Sequence, residues 1–168
     1  SLTSSIRSFT PMFTRRRFLG TAIGAAVLLP FKSSGQGEPF RGERQSLDTV
    51  LEFVRAGHNN LPRIQEMVAQ EPKLVIAAWD WGKGDWETAL GGAGHAGNRE
   101  SARFLLSKGA RFDIYAAAML GQRDAVLASL SAIPSAASTR GPHGYSLLYH
   151  VAISGDVEMA KAIRPLLP

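Results

Sequence analysis

Four histidines, His58, His95, His143 and His150, together with the carboxylates of Asp80, Asp85 and Glu87, are the side chains of this 168-residue chain best suited to hold a metal or move a proton. Their spacing points to neither. No His-x-x-x-His or His-Glu-x-x-His occurs, so no two imidazoles share a helical face at metal-ligand spacing. The chain has no Cys, which removes thiolate centres, cysteine nucleophiles and disulfides. The expectation is no metal and no cofactor, with the histidines serving turns or core packing. The carboxylates lie in a loop without a partner base and are expected to be solvated. There is no Gly-x-Ser-x-Gly elbow, P-loop or Gly-x-Gly-x-x-Gly, so no catalytic residue is assigned and the chain is not expected to be an enzyme. Gly91-Gly-Ala-Gly94 invites comparison with a phosphate cradle, but it falls inside a short helix, where small residues serve close helix contact.

One segment stands apart. Trp79-Asp-Trp-Gly-Lys-Gly-Asp-Trp86 carries all three tryptophans within eight residues. An indole buried by a partner contributes about 2 kcal/mol or more to binding. The alternative is that the rings pack this loop against its own scaffold. Trp81, beside the turn residues Gly82 and Gly84, is expected to be the most exposed.

The elements that must position these residues read as helix pairs. Thr88 can cap a short helix that Gly97 ends; a second helix opens with Glu100 in its first turn and buries Ala102, Phe104, Leu105 and Leu106 before Gly109. Similar units centre on Gly57, Gly97, Gly121 and Gly155, each expected to close a short helix ahead of a longer one. Gly57 precedes Leu61, Ile64, Met67 and Val68; Gly121 follows Ile114-Tyr-Ala-Ala-Ala-Met-Leu, a helix starting directly at Asp113 without a full hairpin. Gly155 closes Tyr145-Ser-Leu-Leu-Tyr-His-Val-Ala-Ile-Ser.

Thr88-Ala-Leu, Ala93 and Gly97, followed by Phe104-Leu-Leu-Ser-Lys-Gly-Ala-Arg-Phe-Asp, resemble an ankyrin repeat, with Ala89 and Gly91 in place of the family's Pro and His. The intervals of 40, 24 and 34 between the four glycines imply an insertion and a deletion against a period of about 33. The resemblance covers 47–168 and implies an all-α ankyrin-repeat solenoid of about four helix-turn-helix units with short β-hairpin fingers. It also implies binding through finger tips and the ends of inner helices. Those places here are Gly84, Asp85 and Glu87 with the flanking Trp79, Trp81 and Trp86, then His95 and Ala96, and in the last unit His143, Tyr145, Ile153 and Ser154.

Residues 1–35 have the layout of an export signal: a polar start, an apolar run from Phe18 to Phe31, then Ser33-Ser34-Gly35. Thr14, Arg15, Arg16, Phe18 and Leu19 resemble the bacterial twin-arginine motif, with Gly20 for its Lys. Cleavage near Ser33 and Gly35 and retention as a short anchor both remain open. Residues 36–46 read as a linker. The net charge of +5 comes from Arg7, Arg15, Arg16, Arg17 and Lys32, since basic and acidic residues balance over 36–168. Nucleic-acid binding is therefore not expected. At the C-terminus, Pro165 breaks a helix that is still apolar, so either the chain is truncated or Leu166 and Leu167 fold back over its end. These features together predict a non-enzymatic protein-binding scaffold in a bacterial periplasm or cell envelope, delivered by twin-arginine machinery and meeting the membrane only transiently or through an uncleaved leader. The alternative is a small-ligand-binding or enzyme-associated protein using the Trp-rich finger.

Overall fold

The structure, a computed structural model, describes residues 43–167. Arg15, Arg16, Phe18, Leu19 and the first part of the expected linker lie outside the described residues. Among the described residues no helix is long and apolar enough to cross a membrane.

The described part is mostly helical, with one small two-stranded sheet. Helices α1 (Leu47–Asn59) and α2 (Leu61–Gln70) pack as a pair, as do α3 (Ala89–Ala96) and α4 (Arg99–Ser107), α5 (Ile114–Met119) and α6 (Arg123–Ala132), and α7 (Leu147–Ser154) and α8 (Val157–Ile163). The first members stack in sequence, α1 on α3, α3 on α5 and α5 on α7. That stacking leaves α5 with two buried faces, and its composition answers the demand. Ala116 and Met119, three apart, join the apolar cluster of Phe53, Ile64, Leu90 and Leu105. Ala117 and Ala118 join the cluster of Val126, Leu130, Leu147, Met159 and Ile163.

Polar side chains set the helix starts. Thr88 Oγ1 accepts from Gly91 N at 3.0 Å, Asn98 Oδ1 from Ser101 N at 3.0 Å and Ser146 Oγ from Tyr149 N at 3.2 Å. Asp113 accepts two amides through Oδ1, Tyr115 N at 2.7 Å and Ala116 N at 3.1 Å. Asp113→Ala strands both donors at the start of a helix only six residues long, and should lower unfolding free energy by about 1–2 kcal/mol in urea titrations. Gly97, Gly121 and Gly155 lie at or just past helix ends with φ of 73°, 77° and 74°. Gly57 departs from the expectation that it closes a helix. It lies inside α1, which continues to Asn59, and it is buried because α3 crosses there at the level of Ala89.

Strands β1 (Ala78–Asp80) and β2 (Trp86–Thr88) form an antiparallel finger in the register Ala78↔Thr88, Trp79↔Glu87 and Asp80↔Trp86. Its turn runs through Gly82, Lys83 and Gly84, all at positive φ, and Gly82 N donates to Asp80 Oδ1 at 2.7 Å. A second finger, residues 140–146, carries a single bridge between Arg140 and Ser146. Leu167 returns against the apolar cluster of α5 to α8, while Leu166 stays exposed.

Candidate functional site

Strand alternation decides what the first finger shows to each side. On β2, Trp86 points out, 61% exposed, and Glu87 points in, 1% exposed. The indole of Trp81 crosses beneath it, and Nε1 donates to Glu87 Oε2 at 2.8 Å. The other carboxylate oxygen, Oε1, is buried and has no hydrogen-bond partner among the described residues. Three imidazole nitrogens surround it: His95 Nδ1 at 3.4 Å, His143 Nε2 at 3.4 Å and His58 Nε2 at 3.5 Å.

Each ring arrives on a different element. His58 and His95 occupy the last turns of the stacked helices α1 and α3, so their rings meet edge to face at 4.8 Å. His143 reaches in from the second finger, where it holds a left-handed φ of 57°. Room for them comes from glycine. A Cβ on Gly92 would stand 2.8 Å from the His58 ring, and one on Gly91 would stand 3.0 Å from Pro142 Cγ. The small residues do serve helix contact, as with Gly94 against Ala116, but two of them also hollow out this centre.

The outward nitrogens are tied down. His58 Nδ1–H donates to the carbonyls of Val54 at 3.2 Å and Arg55 at 3.1 Å. His143 Nδ1–H donates to Asp85 Oδ2 at 2.8 Å, and the His143 amide donates to Asp85 Oδ1 at 2.8 Å. Because a carbonyl or carboxylate can only accept, Nδ1 of both rings carries a proton, and Nε2 is the nitrogen each ring turns toward Glu87. The His143 amide, with the side-chain bond adding to it, holds the Asp85 carboxyl below its usual range. Burial raises the Glu87 carboxyl, against the pull of His58 and the Trp81 hydrogen bond. Burial, reinforced by His58 and His143, pushes His95 down to about 4, so its ring is neutral at pH 7. His95 Nδ1 is buried and, among the described residues, without a hydrogen-bond partner, like the carboxylate oxygen it faces.

An aromatic wall closes one side. Tyr145 stacks on His95 at 5.2 Å and on Tyr149 at 4.4 Å, and Tyr149 Oη donates to the His95 carbonyl at 3.2 Å. Of the residues expected to meet a partner, Asp85, Glu87, His95, His143 and Tyr145 thus converge, and Trp81 with them. Trp79 is half-buried, edge-on to Trp81 at 6.4 Å. Trp81 is not the freest indole: its N–H is held by Glu87, the Arg55 guanidinium lies 5.7 Å from its ring, and Trp86 takes the exposed place. Gly84, Asp85 and Trp86 border a cleft of about 390 Å³ between the fingers, completed by Asp113, Tyr115 and Arg140. Ile153 and Ser154 receive Arg99 through their carbonyls. His58 was not expected at a site, and its signal in the sequence was the glycine at 92 that admits its ring. Neither a protein-family model nor a curated protein nor a solved structure matches the chain.

Proposed function

We propose that the chain is an exported, ankyrin-like repeat module of the bacterial periplasm or cell envelope that works by binding a protein partner through its fingers. The repeat reading rests on the stacked helix pairs, each first helix of the second to fourth pairs followed by a left-handed glycine, and on the motif at 88–113. The observation that carries the binding reading is the joining of the two fingers. Asp85 and His143 lash them together, while Trp86, Tyr145 and Tyr149 keep 61%, 37% and 38% of their surface exposed. Large aromatics on a rigid support lose little conformational entropy when a partner covers them.

Trp86→Ala should weaken capture of an envelope partner by about 30-fold, the equivalent of roughly 2 kcal/mol, with unchanged helicity. Cross-linked pull-down with parent and variant full-length chains measures this. Equal recovery by both would remove the first finger from the interface. A second reading, binding of a small molecule in the cleft between the fingers, is favoured by the Asp113, Tyr115 and Arg140 groups lining it. Trp86 fluorescence that responds to a metabolite panel, and not to the captured protein, would select it.

A further inference from the structure

We propose that His58, Glu87, His95 and His143 form a mononuclear site for a divalent transition ion, with zinc(II) the chemistry that three imidazoles and a carboxylate fit best. The inference stands apart from partner binding, since it concerns groups turned inward. Their four ligand atoms lie within 4.8 Å of one another.

The distances separate this reading from a cluster of ion pairs. A protonated imidazole bound to a carboxylate comes to about 2.7–2.9 Å. The three contacts to Glu87 Oε1 are 3.4, 3.4 and 3.5 Å, too long for such bonds. They match the edge of a coordination tetrahedron, because metal–ligand bonds of about 2.0–2.1 Å at the tetrahedral angle set neighbouring ligand atoms roughly 3.3 Å apart.

The surroundings agree. A metal-bound imidazole normally donates its other N–H to a carbonyl or carboxylate, and His58 does so to Val54 and Arg55 and His143 to Asp85. A ligating carboxylate is likewise hydrogen-bonded through its second oxygen, the part Trp81 plays for Glu87. Glu87 Oε1 and His95 Nδ1, both buried and without a hydrogen bond among the described residues, are two of the four atoms that the ion would use. An uncompensated carboxylate in a dry site is costly, and a divalent charge at its centre removes that cost. Nitrogen-rich donors select zinc, cobalt or copper over magnesium and calcium, which require oxygen shells. Four protein ligands make a closed site, so the ion acts as a clamp joining α1, β2, α3 and the second finger.

The test uses the full chain, purified without a histidine tag and stripped by chelator, then titrated with Co²⁺ and Zn²⁺. The expected result is one ion per chain, a tetrahedral cobalt spectrum abolished by Zn²⁺, indifference to Mg²⁺ and Ca²⁺, and a melting temperature that climbs with free zinc. His143→Ala, on an exposed loop, and Glu87→Gln should each weaken binding more than about 100-fold, beyond the 10–100-fold typical of an outer partner, which Asp85→Asn should show. His150→Leu should leave binding unchanged. Circular dichroism checks that each variant is folded, and His143→Ala carries the test should Glu87→Gln unfold. No stoichiometric cobalt spectrum in the parent, or equal affinity in parent and His143→Ala, overturns the site and leaves a cluster of ion pairs.

Discussion

Replacing Gly57 by Ala is expected to lower unfolding free energy by about 2–3 kcal/mol, although alanine is the better helix former by about 1 kcal/mol. The loss is steric. A Cβ at Gly57 would overlap the Ala89 carbonyl oxygen and stand 2.7 Å from Ala89 Cα and 2.9 Å from its carbonyl carbon. These are backbone atoms at the start of α3, fixed by the Thr88 cap and by burial on both sides, so no side-chain rotation relieves the overlap. The helices must separate, and His58, the next residue, leaves Glu87 with them. Gly121→Ala is the control. Gly121 has open space around it but a φ of 77°, so it should lose only about 1–2 kcal/mol of left-handed strain. Urea titration of both variants decides the matter: a shift in midpoint at constant slope, larger for Gly57, is expected. A Gly57→Ala protein as stable as Gly121→Ala would refute close helix approach as its role.

The two glycines also show where the sequence could be read and where it could not. The hairpin of the first finger was expected from the resemblance; local rules found Thr88, Gly97 and Glu100, because a cap, a left-handed stop and an acid in a first turn are decided within a few residues. They could not tell Gly57 from Gly121, since one glycine serves contact with a helix more than thirty residues away and the other serves its own φ. The histidines failed to register for the same reason. Metal-ligand spacing is a local signature, whereas His58, His95 and His143 belong to different units and are gathered only by the stacking of α1 on α3 and the return of the second finger. The expectation of solvated carboxylates fails at Glu87, because the alternation of β2 turns it inward and Trp86 outward. Trp81 was misjudged because its flanking glycines describe the backbone of the turn, while its exposure is decided by the carboxylate its indole reaches.

Acid should destabilise the metal-free protein through His150, and His150→Leu should remove that sensitivity. The ring is fully buried on α7 among Tyr115, Tyr145 and Tyr149; Nδ1–H donates to the Ser146 carbonyl at 2.8 Å, and Nε2 has no partner among the described residues. A proton on Nε2 would be a buried charge, so burial holds the imidazole below its ordinary 6.5, outweighing the Ser146 bond and Asp113, which pull upward. The sign follows from proton uptake. Below 6.5 the unfolded chain binds a proton that the folded chain refuses, so the stability from His150 is whole above 6.5 and drains as pH falls toward the depressed value. One excluded proton gives a slope of at most about 1.4 kcal/mol per pH unit. His95 and Glu87 titrate in both proteins and drop out of the difference. Leucine preserves volume and removes an unpaired nitrogen, so at pH 7 the variant should match or exceed the parent. Urea unfolding of parent and variant in chelator at pH 7, 6 and 5 measures the effect, and the gap must widen in favour of His150→Leu as pH falls. Parallel pH profiles would mean that His150 accepts its proton in the folded state, and with it that the Nε2 atom finds a partner in solution.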